Sequence, residues 1–520
     1  MKRGLRKFES ALISGCAVLS LLAAPAMAQD RLPIDHSNLP DRPDFLDVGQ
    51  PVTSLDVALD RAYLTNPALL AERARLESID FRLPQARARS GLQMNYEVGY
   101  GYRRDNIEQQ VGGSLPRAGW APSASAVLTQ PLFTFGRNAA GERTASAQID
   151  YQRAALRAME QQVLLQTVSA YVTVLREREA VRIAAENLAL LERELADNSF
   201  RLQARDTTRT DVDQVATRVE LGKAQLLQAH RAVAFSEAEF LNVIGSPPGD
   251  LSPPGAPPLP ARSLEDAFTV AQQRHPILVA AYARERASRA QVSIARAERM
   301  PRVDLRGRAG VDTNLFGLDR LQQTSLRGEF VVSGPIFQSG ALNARLGEAE
   351  AANDADWRLI DQTLRETRAE VSDAWNEWLT AEGSLGNLAN AVILAEQAHS
   401  GAVLQERVGM RTTLDVLDLA RDLLSAKISH NQARATLHIA KVRVLAAIGM
   451  LELADLVPGR PQLDDVRHYN RVRNDGDTPL ITSVIQSIDR IPLGSQQDRE
   501  IRDPSAALLT PAVPIATPAE

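Results

Sequence analysis

Cysteine is almost absent from this 520-residue sequence, since Cys16 is the single one. A chain with one cysteine forms no internal disulfide and lacks the clustered thiolates of a cysteine-ligated metal site. The seven histidines are dispersed, and His430 and His438 lie eight residues apart, whereas a helical metal site usually needs a spacing of four. We find no phosphate-binding loop, serine-hydrolase elbow or zinc-protease motif. The sequence therefore predicts no enzyme, no cofactor and no metal site.

Excess positive charge and long apolar runs are also missing. The formal net charge of -5 gives no electrostatic footprint for nucleic acid, so no nucleic acid is expected among the partners. Beyond the first 28 residues there is no run of 18 apolar residues, so no transmembrane helix is expected. If the chain spans a membrane, it must do so with strands.

The first 28 residues have the organisation of a secretory signal peptide. Four basic residues stand among the first seven, an apolar stretch covers residues 11–24, and Ala26-Met27-Ala28 forms a cleavage site. The mature chain is predicted to begin near Gln29. Residues 13–16 resemble a lipoprotein cleavage box, but the apolar run before Cys16 would then be very short, so lipidation at Cys16 is the less favoured interpretation.

The rest of the sequence contains the same unit twice. Asn66-Pro67 recurs 209 residues later as His275-Pro276, and residues 130–133 recur 204 residues later as residues 334–337. A period near 200 residues indicates a duplicated fold unit, because solenoid repeats are far shorter. We assign residues 29–52 to an N-terminal extension, 53–245 to the first repeat, 246–262 to a proline-rich linker and 263–449 to the second repeat. Residues 450–520 form a C-terminal periplasmic segment whose tail is predicted to be disordered.

Alternation with a period of two predicts strands at residues 94–104, 120–130, 302–313 and 325–334. In the first, Tyr96, Val98, Tyr100 and Tyr102 share one face and polar residues share the other. An apolar face and a polar face fit strands between lipid and a watery lumen. They also fit two hairpins of a soluble sandwich, and the strands alone favour that alternative.

Four long helices are predicted at residues 136–201, 211–243, 341–408 and 412–447. Apolar residues recur there at spacings of three and four, and alanine stripes allow the close approach of coiled-coil packing. The first helix would be about 95 Å long at 1.5 Å per residue. Globular domains rarely contain such a rod, so the helices shift the balance away from an ordinary soluble domain.

Several short segments together resemble the TolC-like outer membrane channel family, over about residues 53–449. They are the two helix breaks at Pro67 and Pro276, residues 130–136 and 335–340 after the hairpins, and residues 208–212. The resemblance implies an α+β membrane protein in which a long antiparallel α-helical coiled-coil barrel joins a transmembrane β-barrel. Each chain of a homotrimer would give four strands to the β-barrel. The location would be the outer membrane of a Gram-negative cell, in contact with its lipid and extending into the periplasm.

The resemblance also implies roles for residues at the far turns of the long helices. Asp415 and Asp418, three residues apart on one helix face, would form a ring of carboxylates around the periplasmic aperture. The plain alternative is a pair of helix-start carboxylates that interact favourably with the helix dipole. A gate lock would comprise Arg411, Asp211 and Glu406, where the best-known members have a tyrosine at the last position. The adaptor-docking tip would comprise Thr208, Arg209, Thr210, Gly409 and Thr412.

We therefore expect a passive exit duct for type I protein secretion. A periplasmic adaptor (membrane fusion) protein and an inner membrane transporter of the ABC or RND class would recruit it. The alternative within the family is the outer membrane component of a multidrug or metal efflux pump. The alternative from another class is a soluble periplasmic coiled-coil scaffold.

Overall fold

The computed structural model describes residues 49–109, 113–255, 261–316, 319–457 and 466–475, together with residues 487 and 489. The predicted signal peptide, most of the N-terminal extension and the predicted disordered tail lie outside the described residues. Contacts divide the chain after Gln50, and every element below belongs to the unit that begins at Pro51.

Both repeats run through the same series of elements. The first contains α1 (Leu55–Thr65), α2 (Pro67–Asp80), α3 (Arg82–Ala88), β1 (Gln93–Gln109), β2 (Gly113–Phe133), α4 (Arg137–Gln203) and α5 (Arg209–Ile244). The second contains α6 (Leu264–Arg274), α7 (Pro276–Ala297), β3 (Arg302–Phe316), β4 (Asp319–Ser333), α8 (Ala341–Arg407) and α9 (Thr413–Ala447). The short helices α10 (Leu453–Leu456) and α11 (Val466–Val472) follow.

The predicted strands are shorter than those in the structure. Residues 105–109 and 113–119, which lie between the two predicted strands, continue the β1–β2 hairpin. The ladder holds them extended although they contain glycine and proline, because pairing with a neighbouring strand overrides weak local preferences. The long helices begin and end within three residues of the predicted bounds, and α5 begins two residues earlier than predicted.

Proline sets the break between the two short helices of each repeat. Asn66 has extended backbone geometry, and its side chain accepts a hydrogen bond from the Ala68 N–H at 3.0 Å. Its amide also donates to the carbonyl oxygen of Val243 at 3.1 Å, which fixes α2 to the end of α5. His275 has the same backbone conformation before Pro276, but its side chain does not cap α7.

The four strands form one antiparallel sheet in the order β1-β2-β3-β4. The duplication holds to the level of register, because Tyr96 opposite Ala126 corresponds to Leu305 opposite Phe330 at offsets of 209 and 204 residues. The β2–β3 pair, with Ala126 opposite Ala309, joins the two repeats.

The main core lies where the short helices α1 and α6 meet the middle of α4 and α8 and the C-terminal ends of α5 and α9. Tyr171 and Phe240 are its largest fully buried side chains, and Leu59, Leu164 and Ile448 are packed with them. The Tyr171 hydroxyl donates to the Ser252 carbonyl oxygen at 2.6 Å, so a linker residue covers this core. Burial of such side chains stabilises the fold by about 1.5–3 kcal/mol each.

The two longest helices have unequal surroundings. Helix α4 packs extensively against α1, α2, α3, α5, α7 and α9, whereas α8 packs extensively against α6, α7 and α9. Residues in the first turns of α8 are therefore mostly exposed, whereas the equivalent residues of α4 are mostly buried or half-buried.

Described residues after α9 contact the first repeat. His468 Nδ1 lies 2.9 Å from the buried Asp80 Oδ2 on α2. The buried Asp489 carboxylate accepts from the Thr134 N–H at 2.7 Å and from the Gly136 N–H at 3.3 Å, and so caps the N-terminus of α4. In the second repeat the equivalent residues, Gln338 and Gly340, are exposed.

Candidate functional site at the helix turns

The helical hairpins of the two repeats turn at equivalent positions and begin their second helices with the same cap. Thr208 and Asp211 form a capping box at the start of α5, and Thr412 and Asp415 form one at the start of α9. In each, the backbone N–H of the threonine donates to the aspartate Oδ2 at 3.0 Å. The threonine hydroxyl accepts in return from the aspartate N–H, which satisfies both donors.

The capping boxes keep two carboxylates ionised. Hydrogen bonds from Thr208 lower the pKa of Asp211 below its ordinary value. Hydrogen bonds from the Thr412 backbone and hydroxyl lower the pKa of Asp415 in the same way, with a smaller contribution from the charge of Arg411. Both carboxylates are negative at neutral pH.

Asp418 lies on the next turn of α9, three residues after Asp415. Its Oδ1 is 3.4 Å from Arg218 Nη2 on α5, and its side chain is 47% exposed. The contact joins the two hairpins, but an ion pair with this exposure contributes only about 0–1 kcal/mol.

A buried polar network joins the same hairpins close to their turns. Arg201 Nη1, in the last turn of α4, donates to Glu406 Oε1, in the last turn of α8, at 2.8 Å. The Thr413 hydroxyl donates to the same oxygen at 2.8 Å and lies 3.3 Å from the Asn198 side-chain oxygen. The Glu406 side chain is 5% exposed and that of Arg201 is 35% exposed. We call Asn198, Arg201, Glu406 and Thr413 the tip network.

A second carboxyl lies beside the tip network. Burial raises the pKa of Glu194 above its ordinary value, and the nearby negative charge of Glu406 raises it further. The positive charges of Arg407 and Arg201 oppose these effects, so loss of Arg201 would leave the two carboxyls less compensated.

The predicted gate residues have separate partners within one chain. Arg411 Nε donates to Gln405 Oε1 at 2.8 Å, whereas Asp211 contacts Thr207 and Thr208. Glu406 pairs with Arg201. The structure of one chain therefore does not join Arg411 directly to Asp211 among the described residues.

The turns also expose apolar side chains. Gly409 has φ of +75°, a conformation that favours glycine, and it ends α8. Beside it Val408 is 70% and Met410 is 75% exposed. Phe200, Leu404 and Leu414 add to this exposed surface. The predicted docking residues Thr208, Arg209, Thr210 and Thr412 lie at the starts of α5 and α9, next to it.

Sequence reasoning missed three members of the tip network, Asn198, Arg201 and Thr413. The available signal was their position, because Arg201 and Glu406 lie in the last turns of helices of equal length in equivalent places. That signal does not specify which residue on α4 faces which residue on α8.

In the parts of the chain that the structure describes, no group of three or more histidine, cysteine or carboxylate side chains could hold a metal ion. Among the described helices, none is both long enough and apolar enough to cross a membrane.

The family model described as "Outer membrane efflux protein" matches residues 58–246 and 268–450, which is one match to each repeat. The outer membrane efflux protein BepC of Brucella suis is 26% identical over 423 residues, covering 81% of this chain and 91% of that protein. The alkaline protease secretion protein AprF of Pseudomonas aeruginosa is 24% identical over 349 residues, covering 63% of this chain and 70% of that protein.

Solved structures have the same fold. That of the outer membrane protein VceC from Vibrio cholerae matches with a TM-score of 0.67 and 20% identity, over 76% of this chain and 96% of that one. The expected fold class, of long helices joined to a four-stranded sheet in two repeats, is confirmed. The chain belongs to the outer membrane efflux protein family, and the prediction from its motifs, a TolC-like outer membrane protein, is confirmed.

Proposed function

We propose that this chain is the outer membrane exit duct of a type I protein secretion system, and that it acts as a homotrimer. The secretion role is supported by the similarity to the alkaline protease secretion protein AprF, and the assembly is supported by the set of surfaces that the internal duplication leaves open. The surfaces through which the two repeats contact each other within one chain have equivalents at the outer edges of the repeats. These outer surfaces have no partner among the described residues, so a second copy can bind them.

The sheet supplies the first of these surfaces. Its apolar face is open, with Tyr96 82% and Leu326 88% exposed, and its other face is polar. An exposed apolar face that extends to both edge strands, with a polar face behind it, suits a sheet whose apolar face contacts lipid and whose polar face contacts water. Strands β1 and β4 have no neighbour on their outer edges within the described sheet. Unpaired edges are not tolerated in lipid, so the sheet must close by pairing with other copies.

The duplication specifies how copies would pair. Within one chain Ala126 of β2 lies opposite Ala309 of β3. The equivalent positions at the outer edges are Phe330 of β4 and Tyr100 of β1, by the same offsets of 204 and 209 residues that relate the hairpins. In a ring, Phe330 of one copy would therefore lie opposite Tyr100 of the next. Three copies would give the twelve strands of the β-barrel that the family resemblance implies.

The helices follow the same rule. Helix α4 packs against α7 and α9 of the second repeat, and α8 lacks the corresponding neighbours in its own chain. In a ring α8 would pack against α2, α3 and α5 of the next copy. Exposed apolar side chains lie on both helices concerned, with Leu394 and Leu404 on α8 and Leu227 and Phe235 on α5. Their burial between copies would drive assembly.

The helix turns would form the periplasmic aperture. Asp415 and Asp418 from three copies would set six carboxylates around a narrow mouth, which favours cations. Arg411, Asp211 and Glu406 would hold the mouth closed, with Arg201 as the partner of Glu406 in the same chain. A contact of an exposed charged group such as Arg411 contributes only about 0–1 kcal/mol, so it opens when a competing partner binds, which suits a switch.

The exposed apolar turns support an adaptor as that partner. Thr208, Arg209, Thr210, Gly409 and Thr412 would contact the helical hairpin of a periplasmic adaptor, beside the exposed Met410. In this proposal the duct is passive and binds no cofactor. An inner membrane ABC or RND transporter would therefore supply the energy for transport.

The direct test compares proteins in the culture medium of the parent strain and of a strain that lacks the gene, at equal growth and with lysis controlled. Selective loss of a few exported proteins, restored by complementation, is expected. An unchanged medium would refute the secretion role. Sensitivity to toxic compounds would then test an efflux outlet, which the relationship to BepC supports.

Assembly is tested by cysteine pairs in the outer strands, because the predicted mature chain has no cysteine. Phe330→Cys together with Tyr100→Cys is expected to cross-link neighbouring copies into a ladder that ends at a trimer. The matched control is Phe330→Cys with Met94→Cys, where the second cysteine would lie about 20 Å along the strand. Equal cross-linking of both pairs, or of neither, would contradict the proposed register.

A further inference from the structure

Two arginines lie side by side on the polar face of the sheet. Arg308 of β3 and Arg327 of β4 are directly opposite in the antiparallel register, and both are exposed. Like charges directly opposite each other destabilise a strand pair. Arg308 Nη2 has one long contact, 3.5 Å to the Ser125 hydroxyl, and among the side chains that the structure describes no carboxylate lies within ion-pair distance of either guanidinium.

The nearby carboxylates do not neutralise the pair. Asp304 is buried between Arg302 and Arg306, at 3.3 and 3.4 Å. Glu329 lies directly opposite Arg306, one position along the face from the pair. Asp304 is therefore already paired, and the described side chains form no ion pair between Glu329 and Arg308 or Arg327, so positive charge is concentrated at the two opposed arginines.

The first repeat shows that the fold does not require arginine here. At the offsets of 209 and 204 residues, Arg308 and Arg327 correspond to Gly99 and Ser123, which are also opposite each other. A small neutral pair therefore supports the same hairpin geometry, without the electrostatic cost of two adjacent guanidinium groups.

We propose that Arg308 and Arg327 form a binding site for polyvalent oxyanions, phosphate or carboxylate, on the water-facing side of the sheet. Two neighbouring guanidinium forks can bind the oxygens of one anion, and the anion removes the repulsion between them. The inference rests on the proposed function, in which this face lines the lumen of a closed sheet. Three copies would place three such sites around the passage, and confinement strengthens their field.

The arginine site would select cargo of the opposite charge from that selected by the aspartates of the helix turns. Those carboxylates attract cations at one end of the duct, and the arginine pairs attract anions at the other. Acidic groups of a passing molecule would be held at the sheet after they have left the helical part.

The test measures current through single channels of the purified protein in planar bilayers, with tripolyphosphate added from the sheet side. Millimolar tripolyphosphate is expected to block the parent channel. Arg308→Ser with Arg327→Ser, which copies the small neutral pair of the first repeat, is expected to raise the half-blocking concentration by roughly tenfold or more. Arg308→Lys with Arg327→Lys retains both charges and is expected to retain most of the block.

A charge-loss control is Arg358→Ser with Arg365→Ser, because both arginines are exposed on α8 and paired with aspartates one turn earlier. This variant is expected to be blocked like the parent. A second arm with hexaglutamate distinguishes carboxylates from phosphates: block of the parent by both anions indicates a general oxyanion site, and block by tripolyphosphate alone indicates a phosphate site.

An unblocked parent channel, or equal block of the parent and the Arg308→Ser, Arg327→Ser variant, would overturn the proposal while the duct itself still conducts. A protein that forms no channels at all would instead refute the proposed function, and this site with it.

Discussion

Replacement of Arg201 and of Glu406 should have unequal effects on stability, because the two residues of this ion pair differ in burial. Arg201→Met leaves the Glu406 carboxylate buried with one hydroxyl donor, Thr413. We expect a loss of about 2–3 kcal/mol, below the range for fully buried pairs because Arg201 is partly exposed. Glu406→Gln keeps an acceptor for both Arg201 and Thr413, so we expect a loss of about 1 kcal/mol.

The double variant Arg201→Met with Glu406→Met separates pairing from burial. It leaves no buried charge at this position, so it should be more stable than Arg201→Met alone. The measurement is denaturation of the purified protein in detergent, followed by the loss of helical circular dichroism. The order Arg201→Met, double variant, Glu406→Gln, from least to most stable, is the expected result.

The same variants test the role of the network in gating. If the network holds α4 against α8 near the mouth, Arg201→Met should raise the single-channel conductance in bilayers and Glu406→Gln should raise it less. A control is Arg443→Met, which removes an ion pair to Glu377 far along α9 from the turn. These roles would be contradicted by a Glu406→Gln variant as unstable as Arg201→Met, or by a control variant that opens the channel equally.

Three further predictions concern other parts of the chain. Asp415→Ala with Asp418→Ala should abolish block by millimolar divalent cations in bilayer recordings; in the parent the block should persist as pH falls through 3.8, the ordinary pKa of an aspartate, because the pKa of Asp415 is lowered and its charge is lost only below that value. Unchanged block in the double variant would assign the constriction to other residues. Arg411→Ala should raise single-channel conductance through loss of a gate contact, and conductance equal to the parent would remove that role. Asp489→Ala should lower stability by about 1–2 kcal/mol through loss of the cap on α4, whereas truncation after residue 489 should not, as thermal denaturation of both variants would reveal.

The sequence predicted the large features because they rest on long patterns. Sixty-seven residues without proline predict α4 and α8, and the two helix breaks before Pro67 and Pro276 follow from a local steric rule. The resemblance to a family, built on these patterns and on the segments around Pro131 and Pro335, was confirmed. The long helices, the helix breaks and the family segments are each determined by residues that are close together in the sequence.

The contacts of the candidate site depend on neighbours in space, which is why they were not predicted. The pairing of Arg201 with Glu406 spans 205 residues and depends on how α4 rotates against α8. The helix-start position of Asp415 was predicted, as an interaction with the helix dipole. The threonine three residues before it is a local signal for the capping box that our prediction did not use. The cap supplied to α4 by Asp489 crosses 353 residues and had no signal in the sequence at all.

That distant cap makes the two repeats mechanically different. The junction before α4 is tied to the C-terminal segment through Thr134, Gly136 and Asp489, and the junction before α8 carries no such tie among the described residues. A displacement at the far turns would therefore tilt α8 about a free pivot, while α4 would have to break its cap or bend. In a ring of copies, hairpins of the first repeat that stay in place would alternate with hairpins of the second repeat that can move. The passage would then widen by movement of the second-repeat hairpins.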